Sequence, residues 1–399
     1  MVTTGTAMRD NKRFLQTSVY YTLIFMATSS FMSYVPIFYA EIGITEFQIG
    51  ILTSISAVIA LFANPFWGTR GDRARSKNRV LLFCLAASAL SIWLIPLTSQ
   101  NFWLQFLATC VFFFFQSAVN PLGDTISLDL AQRYHFRFSH VRTAGSLGFA
   151  IMSLIGGWMI TYNIYFIFAA FSVLIAFAFI VFMQLPEVQG YQSAKEPLRF
   201  WEVLRNRQLI YIYLYVLVLS TGFGFFMSFH ALYSVEKGIS TGLLGAGIML
   251  GSFSQFPFML LFDKLYDRLG IRLMMIGAGV LSAIRWLLYS FWLNSYTLLL
   301  LWVLHGGTFI IVYLCLTEFV HRHIRKELKA SGQMMNFIIQ HGIGRIIGGT
   351  LGGIFAQRFG FAPVFAAIGV LTTLAVIIYG LFTKAEAAST AHDSDTAAV

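Results

Sequence analysis

The chain has 399 residues, 57% of them hydrophobic and 11% charged, with a mean hydropathy of +0.72. Soluble domains carry about 25% charged residues, so a water-soluble fold of this length has no place for so much apolar surface, and a polytopic membrane protein is required. The formal charge of +10 suggests nucleic acid only until the positions of the basic residues are read.

The first residues, "MVTTGTAMRDNKR", are polar and basic. The apolar run after them lacks a small-residue cleavage signature and reads as a retained first span. A spanning helix needs about 20 apolar residues. By that rule the predicted spans run near 14–39, 48–69, 80–98, 102–131, 140–161, 164–185, 208–234, 242–262, 272–291, 296–319, 331–356 and 361–383. The expected fold is all-α, with twelve transmembrane helices in two pseudo-symmetric six-helix bundles. The bundles occupy 1–185 and 208–384, with a linker over 186–207 and a disordered tail over 385–399.

The basic residues fall mostly on one side of this layout. That side holds Arg9, Lys12 and Arg13, the run "RGDRARSKNR", Arg133, Arg137, the linker cations, and "HRHIRKELK" at 321–329. The other side keeps little beyond Lys237 and Arg358. The positive-inside rule places both termini in the cytoplasm. The positive charge is thus a topology signal in a cell-membrane protein, and no nucleic-acid partner is expected. The three cysteines, Cys84, Cys110 and Cys315, sit in apolar runs, with spacings that fit neither a disulfide framework nor a metal site. No nucleophile–base spacing, metal motif or phosphate loop occurs, so neither an enzyme nor a cofactor is expected.

The halves repeat at an offset of about 195 residues. "GTRGDRAR" (68–75) aligns with "DKLYDRLG" (263–270), keeping the pairs Asp72-Arg73 and Asp267-Arg268. "GSLGFAIMSLIGG" (145–157) aligns with "HGIGRIIGGTLGG" (341–353). Such a repeat implies two bundles that rock about a shared pathway. Gly344, Gly348 and Gly352 leave one stripe of the eleventh span as bare backbone, where a neighbouring helix can approach.

Ionisable residues inside spans are costly and mark function. Gln116, Asn120 and Asp124 are four apart and stack on one helical face. Asp129 is rotated roughly 140° from Asp124 and lies four before Arg133, as Glu318 lies four before Arg322. Each reads as an i,i+4 ion pair at a helix end. Asp124 has no such local cation. It and Arg142 are nearly symmetric about Tyr134, so antiparallel helices joined there place them at one depth as a mutually neutralising pair. Arg285 and His305 are symmetric about Ser295 and should meet in the same way. His230, His341 and Arg345 complete the intramembrane ionisable set.

These motifs resemble the major facilitator superfamily. "GTRGDRARSKNR" is similar to its Gly-x-x-x-Asp-Arg loop, with Asp263 replacing the glycine in the second copy. The resemblance implies a conformational gate formed by Gly68, Asp72, Arg73, Asp267 and Arg268. "NPLGD", then "VRTAGSLGF" 18 residues on, and "IRW" followed by "LHGGTF", look like the lactose permease and phenylpropionate permease branch and its nucleoside symporter relatives. That branch implies substrate contact at Asp124 and Arg142, proton coupling at Arg285 and His305, and a ring-stacking aromatic at Phe149. Two departures stand out. Thr308 replaces the proton-carrying glutamate of galactoside permeases, and Ser252 replaces a second one, which leaves Asp124 as the strongest proton carrier. Gln116, Asn120, His230, Trp286, His341 and Arg345 are candidates to line the cavity. The excess of intramembrane arginine favours a solute bearing a negative group. The expected function is proton-coupled symport of a small organic solute (an aromatic or other organic acid, a sugar or a nucleoside) by a monomer. The alternative is a drug/proton antiporter of the same fold.

Overall fold

The computed structural model describes residues 2–98, 101–190, 200–325 and 328–396. Side chains are described from Asp10 to Thr383, apart from those of 99–100, 191–201, 207, 326–327 and 330. Residues 191–199 of the expected linker and the last three residues of the expected tail lie outside the described residues.

Among the described residues every regular element is helical. In chain order they are α1 (Val2–Met32), α2 (Val35–Glu41), α3 (Glu46–Arg73), α4 (Lys77–Ser91), α5 (Leu94–Leu97), α6 (Phe102–Arg133), α7 (Phe138–Met159) and α8 (Phe166–Met183). Then come α9 (Phe200–Val203), α10 (Arg207–Glu236), α11 (Thr241–Trp292) and α12 (Ser295–Val303). A π-helical turn (Gly306–Ile310) leads into α13 (Ile311–His323), and a second (Ile338–Ile343) joins α14 (Lys329–Phe337) to α15 (Gly344–Phe359). The last helix is α16 (Phe361–Thr396).

Nine helical runs among the described residues are long and apolar enough to cross a bilayer, against twelve expected spans. The chain is a multi-pass membrane protein. One of the nine, α11, is 52 residues long and breaks its helical geometry at Gly270 (φ 69°), so it carries two predicted spans. A left-handed φ of this kind is open to glycine and strained for residues with a Cβ. The predicted spans at 140–161 and 331–356 are helical as α7 and α14–α15. Their glycine, polar and charged residues, including Arg142, His341 and Arg345, dilute the apolar content. The final helix runs on to Thr396 through most of the expected tail, where "AEAA" is rich in strong helix formers.

The chain divides into two compact units, Met1–Lys195 with Ala231–Ser252, and Glu196–His230 with Phe253–Val399. In the first, α1 packs on α7 and α8, while α3 and α4 pack on α6. Phe31, Phe112 and Phe171 form an edge-to-face core there, with Phe168 against Phe31. Asn101 caps α6, accepting from the backbone N–H groups of Trp103 and Leu104. The segment Ala231–Ser252 joins this unit through glycine contact. A Cβ on Gly157 would fall on the Thr241 carbonyl oxygen and 3.1 Å from Gly245 Cα. Beside it the Tyr34 hydroxyl donates to the Ser153 carbonyl. In the second unit the stripe predicted on span eleven seats α10, since added Cβ atoms at Gly344 and Gly348 would strike Ser220 and the Thr221 carbonyl.

The start of the linker is stitched to the loop after α3. Lys77 N–H donates to the Val188 carbonyl at 2.8 Å, and Gly190 N–H to the Ala74 carbonyl at 3.1 Å. The Asn78 side chain donates to the Pro186 carbonyl and accepts from Val188 N–H.

Candidate functional site

In the first unit, small residues decide how closely α1 approaches its neighbours. A Cβ on Gly123 would lie 2.9 Å from the Tyr20 hydroxyl, one on Gly145 3.1 Å from the Phe25 ring, and one on Gly148 would meet the Thr22 backbone. The bare backbone brings α6 and α7 against the Tyr20–Phe25 face of α1. Asp124 on α6 and Arg142 on α7 then meet, with Nη1 3.1 Å from Oδ1 and 3.3 Å from Oδ2. The Tyr21 hydroxyl donates to Oδ1 at 2.5 Å, and the guanidinium lies 5.3 Å from the Phe25 ring centroid. The Asp124 and Arg142 side chains are 34% and 47% exposed. This is a neutralised, partly exposed pair within a span.

The other first-half candidates stand apart from that pair. Among the described residues, no hydrogen bond joins Gln116 or Asn120 to Asp124, although the three share a face. Phe149 is half-buried, and the ring over Arg142 belongs to Phe25. Phe25 lies on a helix that hairpin symmetry does not relate to Arg142. The one hint of Tyr21 in the sequence was a polar-tipped aromatic in a span without a central charge.

The second unit builds a different site. Gly306 approaches Ser254 so closely that a Cβ would collide with the Ser254 carbonyl. Ser254 Oγ accepts from Gly306 N–H at 3.0 Å and donates to the Trp302 carbonyl at 3.3 Å. This anchors the π-helical turn immediately after His305. Such turns recur at functional sites. Arg285 Nη1 is 3.1 Å from His305 Nδ1. A guanidinium cannot accept a hydrogen bond, so Nδ1 must be the acceptor, and the imidazole is neutral with its proton on Nε2. Arg285 is fully buried. Its guanidinium carbon lies 4.2 Å from the Phe226 centroid, 5.0 Å from Trp286, 5.6 Å from Trp302 and 5.7 Å from Tyr289. Aromatic faces attract a cation, and four of them enclose this one.

His230 joins the same cluster. Its ring stacks 4.7 Å from Phe226 and stands edge-on to Trp302 at 5.3 Å. Its Nδ1 donates to the Phe226 carbonyl at 2.9 Å. Phe223 lies against His305 and Phe309, and His341, inside the second π-helical turn, packs on Phe309 and Phe337. Arg345 instead meets Gly224 of α10 through its backbone. A cleft bordered by Ser220, Phe223, Ser282, Trp286, Thr308 and Gln340 opens beside the cage. Thr308 and Ser252, at the positions of the missing glutamates, bond to the His305 and Ile248 carbonyls.

The loop motif is a charge cluster in both units. Lys77 Nζ is 3.8 Å from Asp72 and 3.9 Å from Asp129. Asp129 therefore faces Lys77 and not Arg133, which lies over the Tyr134 ring. The cause is burial: the Lys77 side chain is 6% exposed, and a buried ammonium draws every carboxylate in reach. In the second unit Arg322 bonds Glu318 at 2.5 Å, as its spacing predicted, and also Asp267 at 3.3 Å. Arg73 and Arg268 are exposed and Gly68 is half-buried, so the acids of the two Asp-Arg pairs make the contacts.

Comparison with known proteins gives a consistent picture. The model of the MFS_1 like family matches residues 14–367. The maltose permease of Geobacillus stearothermophilus is 24% identical, over 92% of this chain and 94% of its own length. A probable 3-phenylpropionic acid transporter of Escherichia coli (strain K12) is 23% identical, over 75% and 80%. The quinolone resistance protein NorA of Staphylococcus aureus is 24% identical, over 89% and 93%. Among solved structures, the nucleoside transporter NupG superposes with a TM-score of 0.84 at 17% identity, covering 93% of this chain and 99% of that one.

Proposed function

The chain belongs to the MFS_1 like family, and from that premise we propose that this membrane transporter is a proton-coupled symporter of a small organic solute. The observation that carries the reading is the Asp124–Arg142 pair, a carboxylate inside a span, neutralised by one cation and partly exposed. Protonation of Asp124 weakens its hold on Arg142, so taking up a proton is coupled to a change in the contact between α6 and α7. His305 is the second coupling group, because its Nδ1 can hold either a proton or the Arg285 hydrogen bond. The similar maltose permease and 3-phenylpropionic acid transporter support a solute of sugar or organic-acid size. The chain is placed in the cell membrane with both termini cytoplasmic, and the Asp72 and Asp267 clusters act as conformational gates on that side.

The test is solute-dependent proton uptake in proteoliposomes. Asp124→Asn should abolish it while solute exchange without a gradient continues. Intact coupling in that variant overturns the assignment of Asp124. NorA favours a second reading, drug/proton antiport. Against it, the described part of the first span sets a neutral tyrosine, Tyr21, at the charged pair and carries no acid near its middle. Drug hypersensitivity of a strain lacking the gene would decide for the antiporter.

A further inference from the structure

The surroundings of Arg285 leave a specific vacancy in its hydrogen bonding. The guanidinium is fully buried, and among the described residues no carboxylate forms an ion pair with it. The described acids of α11 and α13 in this unit are Asp263 and Asp267, near the break at Gly270, and Glu318, which bonds Arg322. The Tyr289 hydroxyl stands close enough to interact, but it is neutral and solvates the charge without balancing it. His305 uses Nη1. The opposite edge, Nε and Nη2, is buried, and among the described residues it meets no charged acceptor. Those two N–H groups form the planar fork that matches the two oxygens of a carboxylate. The indole N–H groups of Trp286 and Trp302 are likewise buried without acceptors. A buried cation with an empty fork, beside further idle donors, is stable only if something anionic completes it during the working cycle.

We infer that the transported solute carries a carboxylate, which docks on the Nε–Nη2 edge of Arg285, with its apolar remainder packed along Phe223 and Phe309. This deepens the transporter reading and rests on it. While Asp124 is ionised it neutralises Arg142, whereas the free edge of Arg285 has no such partner, so the solute's charge is assigned to the second unit. The Phe223 and Phe309 rings are parallel within 16°, with centroids 4.7 Å apart, and Phe223 leans on His305. Both rings border the cleft that also touches Trp286, a side chain of the Arg285 cage, a lining suited to a planar or aromatic acid. Binding at this seat leaves the Nη1 bond to His305 in place, so the solute and His305 share one guanidinium without competing for an edge.

The experiment uses purified full-length protein in detergent, without a proton gradient. Tryptophan fluorescence and melting temperature are followed during titration with acetate, benzoate, 3-phenylpropionate and the neutral 3-phenylpropionamide. Saturable binding of an aromatic carboxylate is expected, with the amide at least tenfold weaker. Arg285→Met should abolish binding. Arg285→Lys keeps the charge but loses the fork and should weaken binding at least tenfold, which keeps the test alive if the methionine variant fails to fold. Equal affinity for acid and amide, binding retained by Arg285→Met, no binding of any acid in the panel, or the same saturating response to sodium chloride alone would each overturn the proposal. Failure of the coupling reading would appear separately, as proton uptake intact in Asp124→Asn proteoliposomes.

Discussion

Each unit pairs an arginine with a partner across one helical hairpin, yet the two pairs are physically opposite. Arg142 meets a carboxylate, and both side chains are between a third and a half exposed. Arg285 meets a neutral imidazole, with 0% of the residue exposed and 6% of His305. The first pair is balanced and partly exposed, so a proton taken up by Asp124 leaves the Arg142 charge at a site that is not fully buried. The second is unbalanced and dry, so it stores a positive charge that an incoming group can neutralise. One arrangement is suited to titration and the other to recognition.

Variants can break this contrast in order of expected effect. Lys77→Met removes a buried cation from between Asp72 and Asp129 and should cost about 1–3 kcal/mol, less than stranding a fully buried charge because both carboxylates are partly exposed. Its counterpart Arg322→Met, at an exposed cluster, should leave the melting temperature unchanged, and the two are compared by thermal unfolding in detergent. Next, Arg285→Met replaces an unneutralised buried charge with an apolar side chain. It should raise stability by about 1–4 kcal/mol while abolishing transport. Arg142→Gln should change stability by no more than about 1 kcal/mol because its pair is solvated, yet it too should stop coupled uptake. A loss of stability in Arg285→Met would erase the distinction between the pairs. Gly306→Ala drives a methyl into the Ser254 backbone and should cost about 1–3 kcal/mol by overpacking, with uptake lost through displacement of His305. The smallest effect belongs to Tyr21→Phe. It deletes one hydrogen bond to a charged acceptor, worth about 1.5–3 kcal/mol where buried and less beside a solvated pair. Its initial rate of uptake should fall about tenfold or less.

Much of this site was legible in the sequence for a geometric reason. Residues equidistant from a turn between antiparallel helices arrive at the same depth, and this placed Arg142 by Asp124 and Arg285 by His305. The i,i+4 rule found Glu318–Arg322. It failed at Asp129 because Lys77, on another helix, is buried and outcompetes the local Arg133. No spacing rule relates Tyr21 and Phe25 of α1 to α6 and α7, or Phe226 of α10 to Arg285. Those contacts depend on which helices become neighbours, and that is set by glycines such as Gly123, Gly145 and Gly306. The glycines were visible as packing stripes, but the helix each one admits was not. The two π-helical turns carried no periodic signal, since each adds a residue to one turn without altering the apolar pattern around it.

The stitched start of the linker bears on where this chain tolerates change. Val188 and Gly190 are fixed by backbone bonds to Lys77 and Ala74, and a Cβ on Gly190 would crowd the Gly71, Asp72 and Ala74 carbonyl oxygens. A residue inserted between Pro186 and Gly190 would throw those bonds out of register, and Gly190→Ala would pry the strand from its bed. An epitope or fluorescent reporter spliced in between α8 and Gly190 would therefore disturb the Asp72 cluster.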